Sequence, residues 1–273
     1  MVLRWKTMLA TMLLATMLLA TAARAGVARI EWLGAPGQHV KAELFAGADA
    51  RATPILVIVL HGDAPAAKPT YQYDFAAKAA AQLPGVIFAA LLRPGYTDGD
   101  GDTSDGKHGD ATGDNYTPEV LDELNAAVRQ LKSEMHPSSV VLLGHSGGAA
   151  LSADLIARDP GLANAALLLS CPCDVPAWRQ HMKTLYPSPL WDQPVPSVSP
   201  MDVVDKISQK TRIWLMVGEK DIVAPPVFTQ RYAAALKKHG IDADVRVLPG
   251  ADHEILLDDA VIAELSKVIA VLR

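Results

Sequence analysis

The sequence is poor in cysteine, in aromatic residues and in positive charge. Its 273 residues include two cysteines, too few for a small fold held together by disulfides. Lysine and arginine number 25 against 30 acidic residues, so the chain lacks the basic excess that nucleic-acid binding requires. Charged residues make up 20% and hydrophobic residues 50%, a balance that excludes a disordered chain. The length instead suits one large globular domain or two small ones.

The first 25 residues have the pattern of an export signal. Arg4 and Lys6 precede a short apolar run at residues 8–20, and residues 23–25 form an A-x-A cleavage site. A membrane anchor is the alternative, but the run is shorter than the roughly 20 residues that a spanning helix needs. We therefore expect cleavage after residue 25, a catalytic domain of residues 26–273 without a stable membrane anchor, and a periplasmic or secreted location.

Segments with the length of strands alternate with amphipathic segments typical of helices. The first two strands alternate partly with period 2, as half-exposed antiparallel strands do, and several later ones are continuously apolar, as strands covered on both faces are. Repeated βαβ units predict an α/β fold with a mainly parallel sheet and helices on both faces, and residues 172–200 predict an irregular insertion or small cap. The predicted strands are residues 28–34, 39–46, 55–60, 86–92, 139–143, 165–170, 212–217 and 243–248, and the predicted helices are residues 71–83, 118–135, 147–158, 226–239 and 257–271.

A G-x-S-x-G motif at residues 144–148 lies between a predicted buried strand and a predicted helix of small residues. This context is typical of a nucleophile elbow, whose glycines permit a turn sharp enough to expose the serine hydroxyl. Ser146 is therefore the candidate nucleophile, and the amide of Gly147 at the helix N-terminus is a candidate oxyanion donor. An ordinary strand-to-helix turn capped by a serine is the alternative.

A serine nucleophile needs a histidine base that is oriented by a carboxylate. Asp221 and His253 each follow a predicted strand, in the order serine, acid, histidine that such an elbow requires. Asp174 is the main alternative acid. His145 adjoins the serine but is expected to point away from the path of its proton, and His61 is expected to shape the oxyanion loop.

The loop that begins with His61, Gly62 and Asp63 follows the first buried strand. A backbone amide in this position, from Asp63 or alternatively from Ala64, supplies the second oxyanion donor. Together with the elbow, the acid and the histidine, these residues resemble the α/β-hydrolase superfamily across the chain after residue 25. Residues 199–207 are more specifically similar to prolyl-oligopeptidase-type and dienelactone-hydrolase-type catalytic domains, although the latter commonly have a cysteine nucleophile.

These residues and the resemblance imply an exported serine hydrolase that cleaves carboxylic esters through an acyl-enzyme and uses no cofactor. A peptidase or amidase of prolyl-oligopeptidase type and an acyltransferase would use the same residues, and a non-catalytic binding protein is a further alternative. The expected partner is a small-molecule ester or a short peptide, with no nucleic acid. The expected assembly is a monomer or a small homo-oligomer.

Two further features lie near the expected active-site edge. Asp98, Asp100 and Asp102 alternate as in a calcium loop, but the EF-hand pattern fails at its glycine and at its final acid, so we expect a solvated acidic loop without metal. Cys171 and Cys173 can bond only through a small ring, and the strain of that ring favours two free thiols.

Aromatic residues beside the expected site are candidates for contact with substrate. Trp178 and Trp191 lie in the predicted cap at residues 172–200, and Tyr96 lies in a Gly/Asp-rich loop at residues 94–116. Because small-molecule pockets are lined mainly by apolar and aromatic side chains, we expect these three residues to line the substrate pocket.

Overall fold

The structure is a computed structural model that describes residues 29–49 and 53–273. The predicted export signal lies outside these residues. In the part of the chain that is described, no helix is both long enough and apolar enough to cross a bilayer.

The strands and helices follow the predicted order. The strands are β1 Arg29–Leu33, β2 Val40–Ala46, β3 Ile55–Leu60, β4 Val86–Leu91, β5 Ser139–His145, β6 Ala165–Leu169, β7 Arg212–Gly218 and β8 Ala243–Leu248. The α-helices are α1 Tyr71–Ala80, α2 Pro118–Met135, α3 Gly147–Arg158, α4 Val175–Leu185, α5 Pro200–Val203, α6 Pro226–Lys238 and α7 Asp259–Leu272, and short 3₁₀ helices span Pro189–Asp192 and Val204–Lys206.

The strands form one eight-stranded sheet in the order β1-β2-β4-β3-β5-β6-β7-β8. β2 runs antiparallel to both of its neighbours, and the strands from β4 to β8 are all parallel. The predicted α/β fold with a mainly parallel sheet is therefore confirmed. In this topology the carboxyl ends of β5, β7 and β8 share one edge of the sheet, where ligand sites of α/β folds form.

Helices cover both faces of the sheet, and β3 shows how the sequence produces this arrangement. Leu56, Ile58 and Leu60 pack on one side with α2, α3 and α6, while Val57 and Val59 pack on the other side with α1 and α7. Fully burying one such side chain contributes roughly 1.5–3 kcal/mol. The largely apolar strands β3, β5 and β6 lie in the middle of the sheet, where neither face is exposed to solvent.

The segment of residues 172–200 was expected to be irregular, but it contains helix α4. Asp174 caps this helix, because its Oδ1 accepts a hydrogen bond from the backbone N–H of Ala177 at 3.3 Å, and Pro176 lies in the first turn. A proline in the first turn starts a helix instead of breaking it. The predicted cap is therefore partly helical.

A buried lysine joins β2 to the acidic loop. Lys41 Nζ lies 2.6 Å from Asp98 Oδ2, 2.8 Å from Asp102 Oδ2 and 3.1 Å from Glu43 Oε1. The side chains of Lys41 and Asp98 have no exposed surface. Burial lowers the pKa of Lys41, but hydrogen bonds to the three carboxylates outweigh burial and hold the pKa above its ordinary value. The ammonium is therefore charged at neutral pH.

This cluster corrects the prediction of a solvated acidic loop. Asp98 Oδ1 accepts the backbone N–H groups of Asp100 and Asp102 at 3.0 and 3.1 Å, while Oδ2 faces Lys41. Glu43, Asp98 and Asp100 can bring one oxygen each within 4.8 Å of one another. Lys41 pairs with Glu43 and Asp98 of this group, so its single ammonium offsets one of the three negative charges. The acidic loop packs on β2 through Lys41, which explains why this strand is buried although its sequence predicts a half-exposed one.

We predict that Lys41→Met lowers the free energy of unfolding by about 3–5 kcal/mol, because it leaves buried carboxylates without a cation. Urea denaturation measures this loss. Lys267→Met is the matched control, since this exposed lysine pairs with Glu264 at the surface and its loss costs less than about 1 kcal/mol.

The free energy of unfolding that Lys41→Met loses should also depend on pH. The pKa of Asp98 is lowered in the folded state and that of Lys41 is raised, so the pair contributes fully between about pH 5 and pH 9. Its contribution falls only as the pH drops through the folded pKa of Asp98 or rises through that of Lys41. Equal stability of the Lys41 and Lys267 variants at pH 7 would contradict this account.

Candidate active site

The turn between β5 and α3 has the geometry of a nucleophile elbow. Ser146 adopts φ +53° and ψ −120°, a conformation that a non-glycine residue rarely takes. A Cβ at Gly144 would collide with the backbone of Gly148, and a Cβ at Gly148 would collide with the carbonyl of Leu60. The two flanking glycines therefore let the helix approach the strands closely enough to form the turn.

The structure brings Ser146, His253 and Asp221 together. Ser146 Oγ lies 3.0 Å from His253 Nε2, and His253 Nδ1 lies 3.0 and 2.9 Å from the two carboxylate oxygens of Asp221. Asp221 follows β7 and His253 follows β8, so both emerge at the edge where Ser146 lies. The alternative acid, Asp174, caps α4 instead.

Asp221 is held as an ionised acceptor. It is almost completely buried, and its Oδ1 accepts the backbone N–H groups of Val223 and Ala224 at 2.9 and 2.7 Å. Burial raises the pKa of Asp221, but the hydrogen bonds from His253 and from the amide of Ala224 outweigh burial and hold the pKa below its ordinary value. The carboxylate can therefore orient an imidazole and stabilise its protonated form.

Two backbone amides near Ser146 are available to an oxyanion. The amide of Gly147 is at the N-terminus of α3, and the amide of Asp63 lies in the loop after β3. Within residues 29–49 and 53–273, neither amide donates to a protein acceptor. The amide of the alternative donor, Ala64, has a long contact of 3.4 Å with the hydroxyl of Tyr96.

The side chain of Asp63 anchors the oxyanion loop. Its carboxylate accepts hydrogen bonds from Arg93 Nη1 at 2.8 Å, from the Tyr116 hydroxyl at 2.7 Å and from the amide of Gly113 at 2.7 Å. The guanidinium of Arg93 is buried and also lies 3.3 Å from the carbonyl of His61. The loop is thus fixed by one buried ion pair and by two donors near the end of the connection between β4 and α2.

His61 shapes the same loop as a neutral side chain. Burial holds the pKa of His61 well below its ordinary value. Its Nε2 accepts the backbone N–H of Arg93 at 3.0 Å, so its Nδ1 carries the proton and donates to the carbonyl of Gly62 at 2.7 Å.

Comparison with known families identifies the chain. Residues 96–272 match the sequence profile of the S9 peptidases, described as the prolyl oligopeptidase family. The chain belongs to the prolyl oligopeptidase family. It is therefore a serine hydrolase, and the resemblance to the α/β-hydrolases found in its motifs is confirmed.

Solved structures similar to this family member include esterases and peptidases. Est1E from Butyrivibrio proteoclasticus is 15% identical with a TM-score of 0.66, over 89% of this chain and 98% of that one. Esterase PE8 is 18% identical with a TM-score of 0.58, over 82% and 97%. A puromycin-hydrolyzing peptidase of Mycobacterium tuberculosis is 20% identical with a TM-score of 0.64, over 89% and 39%, so the chain spans about two fifths of that peptidase. No curated protein sequence matches the chain significantly.

Sequence reasoning missed two residues of this prolyl oligopeptidase family member that connect its loops. His145 Nε2 lies 2.9 Å from the carbonyl oxygen of His253, and His145 Nδ1 lies 3.0 Å from the hydroxyl of Tyr71. The same hydroxyl accepts the backbone N–H of Gly62 at 2.5 Å. The signal for His145 was its place inside the motif. Tyr71 lies in no motif, and its bond to His145 spans 74 positions of the sequence.

Cys171 and Cys173 form a disulfide, which corrects the expectation of two free thiols. Their Cα atoms lie 5.1 Å apart, inside the usual range for disulfides, so the Cys-Pro-Cys turn brings them within reach. The preceding residue, Ser170, has φ +50° and donates its hydroxyl to the carbonyl of His253 at 3.0 Å. The disulfide therefore closes a tight turn beside the candidate base.

A groove of about 550 Å³ lies next to the oxyanion loop. It is bounded by Pro65, by residues 110–112 and by cap residues that include Trp191. Trp178 and Tyr96, the other aromatic candidates for substrate contact, are each 2% exposed. Trp178 packs edge-on against Trp191 with ring centroids 6.0 Å apart. Of the three candidates, the structure places Trp191 alone at the groove.

Proposed function

We propose that this serine hydrolase cleaves carboxylic esters and that Ser146, His253 and Asp221 carry the reaction. The observation that supports the proposal is the hydrogen-bonded chain from the Asp221 carboxylate through His253 to the Ser146 hydroxyl. Acyl transfer needs an ionised acid, a histidine base with one ring nitrogen bonded to the acid and the other to the serine, and a serine hydroxyl that solvent can reach. Ser146 is partly exposed.

In the proposed reaction, His253 Nε2 removes the proton of Ser146 as its oxygen bonds to the ester carbonyl carbon. The amides of Gly147 and Asp63 stabilise the resulting oxyanion. As the oxyanion collapses, the bond from the carbonyl carbon to the alkoxy oxygen breaks and protonated His253 gives its proton to that oxygen. The alcohol leaves, and the acyl group remains bonded to Ser146 as the acyl-enzyme. Water, deprotonated by the same histidine, attacks the acyl-enzyme and releases the acid and the free serine.

We predict that Ser146→Ala lowers kcat for p-nitrophenyl acetate by at least about 10³-fold, because no other group replaces the nucleophile. Ser152→Ala is the matched control. Ser152 lies in α3, the helix that follows Ser146, and its buried hydroxyl donates to the carbonyl of Gly148 and takes no part in the proposed reaction. Full activity of Ser146→Ala would rule out the proposed nucleophile.

The choice of an ester over a peptide rests on the two esterases that the chain matches over nearly their whole length. The same measurement made with peptide p-nitroanilides tests this choice. Turnover of peptides that depends on Ser146 and exceeds ester turnover would assign the chain to the peptidases of its family.

We further propose that the groove beside the oxyanion loop binds an uncharged apolar part of the ester. Pro65, on the groove wall, is three residues past Gly62, where an added Cβ would lie 3.0 Å from the Cβ of Ser146. Three residues span at most about 11 Å, so the groove opens close to the serine. Asp110, on the rim, opposes anionic groups.

We predict that Leu190→Asp lowers kcat/KM for a naphthyl ester about tenfold. The kcat/KM for p-nitrophenyl acetate should change by less than about twofold, because only the larger ester reaches the groove. Leu190 lines the groove and is 52% exposed, so the fold tolerates the change. Val271→Asp places the same charge on another exposed apolar residue and serves as the control. An equal loss for both esters would argue against binding in the groove.

We also propose that the protein is exported. The signal pattern at residues 1–25 supports export, and so does the disulfide, since disulfides persist in oxidising compartments.

We predict that the full chain, when expressed in a bacterium, is cleaved and recovered from the periplasmic or secreted fraction. The recovered protein should begin at Gly26, which N-terminal sequencing reads directly. Ala25→Arg removes the small residue before the cleavage site and should leave the signal attached. A cytoplasmic protein that retains residues 1–25 would contradict export.

A further inference from the structure

The contacts of His145 fix which of its ring nitrogens carries a proton. The carbonyl oxygen of His253 can only accept, so the proton must be on His145 Nε2. Burial lowers the pKa of His145 to about 4, so the ring is neutral at neutral pH. Its Nδ1 therefore accepts a hydrogen bond from the hydroxyl of Tyr71. The Tyr71 oxygen then has a lone pair free for the amide of Gly62. These hydrogen bonds form a path from Gly62 through Tyr71 and His145 to the carbonyl of His253, and each donor in the path has one acceptor.

The two ends of the path are the parts of the site that the sheet supports least. His253 follows β8, which lies at the edge of the sheet and is mostly exposed. Gly62 begins the loop that carries the candidate oxyanion donor Asp63. His145, by contrast, is the last residue of β5, paired with β6 in the middle of the sheet. The path therefore ties two loops to a rigid strand.

The second acceptor position of the His253 carbonyl is also filled. Ser170 donates its hydroxyl to this oxygen at 3.0 Å, next to the bond from His145 at 2.9 Å. A carbonyl with both lone pairs engaged has little freedom to shift. The backbone of the candidate base is thus fixed from two neighbouring strand ends, while its ring remains free to exchange a proton with Ser146.

We propose that His145 and Tyr71 form a positioning bridge that holds the backbone of His253 and the oxyanion loop in register with Ser146. The inference rests on the proposed ester hydrolysis. Neither residue touches the ester in this account. The bridge sets the separation between the base on one side of the serine and the amide donor on the other. This separation must hold to within about 0.5 Å for both groups to act in one transition state.

Tyr71→Phe removes the hydroxyl that joins Gly62 to His145 and keeps the ring. We predict that kcat for p-nitrophenyl acetate falls about tenfold while KM stays within about twofold, because the loss is felt in the transition state. Direct removal of an oxyanion donor costs about 10²–10³-fold, and an indirect effect is smaller. Tyr232→Phe is the control, since in the described residues this buried hydroxyl has no partner.

A double-mutant cycle separates the bridge from a general loss of stability. In His145→Gln the side-chain amide can still donate to the carbonyl of His253 but offers nothing at the position of Nδ1. Adding Tyr71→Phe to this variant should then lower kcat by less than about twofold. In His145→Asn the side-chain oxygen replaces Nδ1, so adding Tyr71→Phe should again cost several-fold.

The outcomes are distinct. Activity that does not depend on Ser146 would remove the proposed function itself and is tested first with Ser146→Ala. Ser146-dependent activity that Tyr71→Phe leaves unchanged, or that falls by the same factor in all three His145 backgrounds, would overturn the bridge alone. A rise in KM with unchanged kcat would assign Tyr71 to substrate binding and overturn the bridge as well.

Discussion

The backbone of Ser146 is the constraint around which the rest of the molecule is arranged. A non-glycine residue at φ +53° costs roughly 1–3 kcal/mol, and the cost must be offset by its surroundings. The amide of Ser146 donates to the carbonyl of Leu169 at 2.8 Å, and its carbonyl accepts the first bonds of α3. Leu169 in β6 and the first turn of α3 are both fully buried. The turn is stable because the core on either side of it leaves no room for another conformation.

The loops around this turn use buried cations as anchors. Arg93 follows β4 and holds the carboxylate of Asp63, while Lys41 in β2 holds that of Asp98. Breaking such a pair leaves a buried charge alone and is costly, so each loop has one low-energy position. The Asp63 pair has a chemical consequence too. A lone carboxylate this close to Gly147 would oppose an oxyanion, and Arg93 neutralises it.

The fold and the candidate triad follow from local patterns in the sequence, whereas the anchors do not. Buried strands, the glycines around Ser146 and the strand ends before Asp221 and His253 each carry a signal within a few residues. Lys41 and Asp98 are 57 positions apart, and each alone reads as an exposed charged residue. Tyr71 was missed for a similar reason, because its partner His145 lies 74 positions away. The helix in the cap was missed because its prolines were treated as a disruption, whereas Pro176 lies in the first turn of α4. The disulfide was not expected because the strain of its small ring was overestimated, whereas the Cα atoms of Cys171 and Cys173 lie 5.1 Å apart, inside the usual range.

The chemistry and the selectivity of the molecule depend on different kinds of structure. The candidate triad stands on strand ends, which the core fixes. The groove is walled by the cap and by residues 110–112, and the buried guanidinium of Arg179 connects these walls. It donates to the carbonyls of Thr112, Leu190 and Gln193 at 3.3, 2.8 and 3.3 Å. Because these are backbone acceptors, side chains along the groove can change without loosening the walls. If the groove binds the ester as proposed, the fold can keep one reaction while the lining of the groove sets the substrate.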